Sequence, residues 1–137
     1  MRRVFVDSGG FFALLSADDL SHQKAQALFS RALTEDWELT TTNAVVFETH
    51  ALLLNRAWNG RAVALQFLDH IEQGLCTVER IGRQDEHRAL DLLRTQADKS
   101  YSLCDACSFA VMERLGIQEA IAFDRHFAQY GKFQILD

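Results

Sequence analysis

The chain has 137 residues, of which 48% are hydrophobic and 24% charged, with a formal net charge of -5. Such a balance supports one globular unit with a sizeable core and excludes a disordered or fibrous chain. It also excludes a general nucleic-acid coating protein, whose affinity rests on many Lys and Arg contacts to phosphate, so a polyanionic substrate would need a local basic rim or bound cations.

Arg2-Arg3 leads through three apolar residues into Asp7, with no hydrophobic stretch of signal length, and no later apolar run approaches the roughly 20 residues that span a bilayer. A cytoplasmic protein without a membrane segment is expected. Arg3-Val-Phe-Val6 reads as a strand ending at Asp7, after which Ser8-Gly9-Gly10 turns the chain into a helix over Phe11–Leu15. Asp18-Asp19 and Ser21 open a second helix, in which Ala25, Leu28, Phe29, Ala32 and Leu33 recur at helical spacing. Glu38–Thr42 is a strand by its β-branched content, and Asn43 is the expected cap of a helix from Ala44 to Trp58 or Asn59.

A further helix carries Ala62 to Ile71 and ends near Gly74, a strand follows over Leu75–Ile81, and an amphipathic helix covers Asp85–Ala97. Ser102-Leu-Cys-Asp105 has the form of a capping box, and the helix it opens is apolar nearly all round, so it belongs in the interior. Gly116 stops it. Ala120–Phe123 is then a short buried strand ending at Asp124, with a short helix over Arg125–Tyr130 and a last strand over Phe133–Leu136. The alternation predicts a three-layer α/β/α sandwich with a mainly parallel central sheet. With no proline and no linker-like composition, residues 1–137 are expected to form a single domain.

Four acids stand out. Asp7, Asp105 and Asp124 each have a plain reading as helix caps, at even odds or better taken singly. Glu48 does not, because its neighbours at helical spacing are Ala44, Val45, Ala51 and Leu52, and no Lys or Arg lies there to pair with it. Asp7 and Asp124 end strands while Glu48 and Asp105 lie near the starts of helices that follow the sheet, so all four can meet at one edge. Two carboxylates about 4 Å apart cost about 4 kcal/mol at an effective dielectric near 20, which makes such a cluster tolerable mainly around a cation. All-oxygen ligation suits Mg²⁺ or Mn²⁺, and a hard ion in an acidic pocket suits phosphoryl chemistry.

The contexts Val4-Phe-Val-Asp7 with Ser8-Gly9, Thr42-Asn43-Ala-Val-Val-Phe-Glu48, Tyr101-Ser-Leu-Cys-Asp105 with Ser108-Phe109, and Ala122-Phe-Asp124-Arg-His-Phe127 together resemble the PIN-domain ribonucleases, the family that includes VapC-type toxins of toxin-antitoxin pairs. The resemblance covers essentially the whole chain. It implies that Asp7, Glu48, Asp105 and Asp124 line one metal site holding Mg²⁺ or Mn²⁺, with Asp7 and Asp105 as principal ligands. It further implies an RNA substrate cleaved to 5′-phosphate and 3′-hydroxyl ends, a homodimer, and a small antitoxin protein that covers the acidic groove. Cys104 departs from the family pattern, which often has a hydroxyl residue before the third acid; Ser8 and Ser102 are the candidate hydroxyls for phosphate or metal. Arg125, Arg56 and Arg61 are candidates for a positive rim, with solvated surface charge as the equal alternative.

Cys104-Asp-Ala-Cys107 has the redox spelling C-x-x-C but lacks a preceding βαβ context, so small buried hydrophobes are expected there. The five histidines show no zinc-ligand spacing. A receiver-like phosphorylation module, a solitary RNA-processing nuclease and a noncatalytic RNA- or partner-binding domain remain as alternatives.

Overall fold

The computed structural model describes residues 1–137. Five strands, β1 (Arg3–Val6), β2 (Glu38–Thr42), β3 (Thr77–Glu79), β4 (Glu119–Ile121) and β5 (Gln134–Leu136), alternate with seven helices. The helices are α1 (Ser8–Leu15), α2 (His22–Thr34), α3 (Asn43–Arg56), α4 (Gly60–Glu72), α5 (Arg83–Thr95), α6 (Leu103–Leu115) and α7 (Arg125–Tyr130). The strands form one sheet in the order β3-β2-β1-β4-β5, and every pairing is parallel. Val4, Phe5 and Val6 point to alternate faces yet are all fully buried, as a central strand covered by helices on both sides requires. The expected α/β/α sandwich is therefore what forms.

Strand order decides where chemistry can sit. From the central β1 the chain goes to β2 on one side, whereas β4 flanks it on the other, so the crevice beyond the carboxyl ends of β1 and β4 is a topological switch point. Asp7 leaves β1 there. The route to Asp124 leaves β4 beside it, and α6 enters from the same edge with Asp105 in its first turn.

An aromatic cluster fixes the helices around that crevice. Phe109 of α6 stacks on Tyr130 at 4.3 Å between ring centroids and meets Phe127 at 4.9 Å and Tyr101 at 5.2 Å edge-on. Such aromatic pairs add about 0.5–1.5 kcal/mol each beyond their burial. The cluster ties α6, α7 and the segment before Ser102 into one packed body.

Several boundaries differ from the sequence reading. The first helix starts at Ser8, so Gly9 and Gly10 are helical residues and not a turn. Helical Gly10 is explained by packing: a Cβ there would stand 2.9 Å from the Ile121 carbonyl oxygen and 3.0–3.2 Å from side-chain carbons of Ile121 and Val6. Gly10→Ala should therefore destabilise the fold by about 1–3 kcal/mol, read as a lower urea midpoint at unchanged slope. Thr42, not Asn43, caps α3, its hydroxyl accepting the Val45 N–H. Asn43 instead accepts the Ile81 N–H and pins the β3–α5 loop to the start of α3, a tertiary role that local cap statistics cannot reveal. β3 is three residues long, shorter than the alternation over 75–81 suggested.

Candidate metal centre

Asp7 ends β1 with extended backbone in the N-cap position of α1, but its side chain makes no capping hydrogen bond. It is 1% exposed, and both carboxylate oxygens are buried without a hydrogen-bond partner. Burial pushes its carboxyl well above the ordinary carboxylate range, and the negative charges of Asp124, Asp105 and Glu48 push the same way. The neighbouring Ser8 N–H is the one opposing influence, near enough to favour the ionised form without hydrogen-bond geometry. As a cap Asp7 would be poor, and as a free buried charge it would be costly. Its position makes sense as one side of a cation site.

Asp105 and Asp124 are both caps and members of the same cluster. Asp105 completes the capping box: its own N–H is bound by Ser102 Oγ at 3.0 Å, and its Oδ2 accepts the Ser102 N–H at 3.0 Å. Oδ2 also lies 2.9 Å from Nδ1 of His126. Asp124 caps α7 by accepting the His126 N–H at 2.8 Å, and its residue is exposed. Donor atoms of Asp105, Asp124 and His126 all lie within 4.8 Å of one another. Capping and a place among the acids are compatible for these two residues, since one oxygen can hold the helix end while the carboxylate stays near its neighbours.

Glu48 sits in the second turn of α3, one turn deeper than a helix start, and is half-buried. It has no cationic partner; instead Ser8 Oγ donates to its Oε1 at 2.5 Å. That bond joins α1 to α3 and engages the Ser8 hydroxyl. Ser102 is likewise engaged, its Oγ accepting at the α6 cap. Arg125 is exposed one residue beyond Asp124. Arg56 ends α3, about 12 Å along the helix from Glu48 at 1.5 Å per residue, and Arg61 opens α4, so neither belongs to the acidic edge itself.

Histidine spacing does not single out His126, because the acid its ring meets, Asp105, comes from another helix. The available signal was its place two residues after Asp124, in the first turn of a capped helix. Cys104 also reaches this edge. Burial raises its thiol far above the ordinary value, as do the charges of Glu48, Asp7 and Asp105, and burial pushes Cys76 up to about 12. All three cysteines are free thiols, none suited to act as a thiolate near neutral pH. Changing Cys104 and Cys107 together to Ser should leave catalysis within a few-fold of wild type; lost activity in a folded variant would restore a chemical role for the thiols.

Two sizeable cavities lie away from the acids. One, of about 700 Å³, is bordered by Arg3, Gly116 and Gln134 at the opposite sheet edge, and one of about 670 Å³ lies among Phe29, Leu33 and Trp37. At the acidic edge itself Asp7 and Asp105 are buried while Asp124 is exposed.

The residues from 4 to 133 match the family model described as PIN domain. The chain belongs to the PIN-domain family. Among PIN-domain relatives, the 23S rRNA-specific endonuclease VapC20 of Mycobacterium tuberculosis is 33% identical over 132 residues, covering 96% of this chain and 97% of that protein. A VapC ribonuclease of Archaeoglobus fulgidus is 29% identical over 128 residues, 91% of this chain and 79% of the relative. The crystal structure of M. tuberculosis VapC20, described as a Sarcin-Ricin loop cleaving toxin, superposes with a TM-score of 0.88 at 31% identity, covering 98% of this chain and 99% of that one. VapBC2 from Rickettsia felis, bound to a promoter DNA fragment, shares the fold alone, at a TM-score of 0.68 and 9% identity over 97% of this chain and 96% of that one. No helix of this PIN-domain chain is long and apolar enough to cross a membrane.

Proposed function

We propose that this PIN-domain protein is a divalent-metal-dependent endoribonuclease that hydrolyses RNA phosphodiester bonds at the cluster of Asp7, Glu48, Asp105 and Asp124. The observation that carries the reading is Asp7, a buried carboxylate with both oxygens unpartnered and three other acids acting on it. A carboxylate in that position repels its neighbours unless a cation sits among them. The all-oxygen donors fit Mg²⁺ or Mn²⁺, with Asp7 and Asp105 as the residues that would hold it. When bound, such an ion neutralises phosphate oxygens and makes water a better nucleophile at neutral pH. Glu48, oriented by Ser8, is the carboxylate placed to position the attacking water, and Asp124 closes the cluster from the β4 side. Arg125 supplies positive charge where an RNA strand would cross the edge.

The similarity to VapC20 makes ribosomal RNA the first substrate to test. Purified protein should cleave 23S rRNA in Mg²⁺ or Mn²⁺, leave 5′-phosphate and 3′-hydroxyl ends, and stop when EDTA is added. Full cleavage in EDTA would sink the metal mechanism.

The same similarity supports a role as the toxin of a toxin-antitoxin pair, with a homodimer and a small antitoxin protein as partners. Phe47 and Leu54 lie seven residues apart on one face of α3, 69% and 45% exposed, and Trp58 is 84% exposed beyond its end. An apolar face beside Glu48 is where an antitoxin segment would lie, and an Arg from it would bond the acids bidentately. Co-expression with the neighbouring gene should yield a complex without nuclease activity. A monomer that ignores that gene's product would favour a solitary RNA-processing nuclease.

A further inference from the structure

We propose that His126 is a positioning residue that turns Asp105 toward the metal, an inference that rests on the nuclease reading above. Both hydrogen bonds that the Asp105 carboxylate accepts fall on the same oxygen, Oδ2, one from the Ser102 N–H and one from the His126 ring. A carboxylate has no proton to give, so His126 Nδ1 is the donor and carries the hydrogen. With two donors on Oδ2, Oδ1 is left as the oxygen to present to a cation. Nδ1 cannot itself be a ligand while it carries that hydrogen, which separates His126 from the acids it adjoins.

His126 is held through both its backbone and its ring. Its backbone N–H is bound by Asp124 Oδ1 at 2.8 Å, its edge meets the Tyr101 ring at 5.7 Å with planes at 85°, and the side chain is only 21% exposed. His126 therefore links two acids that arrive on different elements, Asp105 on α6 and Asp124 at the start of α7. Ligating carboxylates are commonly fixed by such hydrogen bonds, and losing the partner typically costs about 10–100-fold in metal affinity or activity. The buried, unpartnered Asp7 carboxylate is the independent sign that a cation belongs beside them.

The test compares wild type, His126→Ala and His126→Asn for Mn²⁺ affinity by calorimetry on EDTA-stripped protein, with RNA cleavage on the same samples. Asn can put an N–H donor near the position of Nδ1, and Ala cannot. His126→Ala should bind Mn²⁺ about 10–100-fold more weakly and lose kcat with little change in KM for RNA, while His126→Asn stays within a few-fold of wild type. Ring-nitrogen NMR of metal-free wild type should show the hydrogen on Nδ1. Equal Mn²⁺ affinity in wild type and His126→Ala overturns the positioning role, as does His126→Asn binding as weakly as His126→Ala, or a ring protonated on Nε2 alone. A wild type that takes up no Mn²⁺ overturns the nuclease reading and this inference together. If His126→Ala fails to fold, the Asn variant and the NMR measurement still decide the matter.

Discussion

Asp7→Asn should abolish RNA cleavage while making the metal-free protein more stable. A catalytic metal contributes several kcal/mol to the transition state, so losing a principal ligand should cost about 10³-fold or more in kcat. Stability moves the other way because the native carboxylate is buried, unpartnered and surrounded by three acids. Neutralising it relieves that repulsion and desolvation. After subtracting the cost of leaving a buried amide short of partners, the gain in EDTA should be about 1–3 kcal/mol. The pH dependence of the wild type follows from the same residue. Its folded pKa is raised, so the folded state binds the proton more tightly than the unfolded chain does. This contribution to stability is fully present below the ordinary carboxylate value near 4 and is lost as pH rises through the raised folded value. Metal-free wild type should accordingly lose melting temperature on going from mildly acidic to neutral pH, and saturating Mg²⁺ should reverse the loss. Asp7→Asn should show neither response. A variant that melts lower than wild type in EDTA and still cleaves RNA would mean that Asp7 serves the fold alone.

Phe109→Ala should be among the most destabilising single changes outside the acids, at about 3–5 kcal/mol by denaturant unfolding. Phe109 is fully buried and touches Tyr130, Phe127 and Tyr101 at once. Removing its ring leaves a cavity where three aromatic surfaces met. The effect should also reach the site, because those rings seat α7 and the Tyr101 segment against α6 and so set the spacing of Asp105, His126 and Asp124. Any folded fraction should bind Mn²⁺ more weakly than wild type even though Phe109 touches no candidate ligand. Phe109→Leu, which keeps most of the volume, should retain most of the stability and metal affinity. Unchanged metal binding in a strongly destabilised Phe109→Ala would uncouple the aromatic cluster from the site.

The layers of the fold were legible because the signals behind them are local. Val4, Phe5 and Val6 are apolar throughout and the run from Ala106 to Met112 is apolar but for Ser108, and a helix-covered parallel sheet buries such elements completely. The capping box at Ser102 and Asp105 was readable from four residues and is present as read. What escaped were long-range choices. Thr42 and Asn43 are both good caps in isolation, and only the approach of Ile81 from β3 assigns Asn43 to the loop and Thr42 to the helix. Gly9 and Gly10 suggested a turn because glycine weakens a helix, but the closeness of Ile121 on β4 makes glycine necessary at position 10.

The acids were recognisable as a set from their order and contexts, while their individual duties were not. Asp105 and Asp124 combine capping with closeness to other acids, so the cap reading does not exclude the proposed site role. Glu48 was correctly singled out as lacking a local cation, yet its actual partner, the Ser8 hydroxyl, lies forty residues away in sequence. His126 could not be found from spacing, since its partner Asp105 comes from another helix.

The most direct measurement is anomalous diffraction from crystals of the wild-type protein equilibrated with Mn²⁺. A strong anomalous peak should lie in the crevice beyond β1 and β4, within ligand distance of about 2.0–2.3 Å of oxygens from Asp7 and of Asp105 Oδ1, with Glu48 and Asp124 around it. Crystals saturated with Mn²⁺ that show no peak among these four acids would contradict the assignment of this edge as a metal-dependent nuclease site.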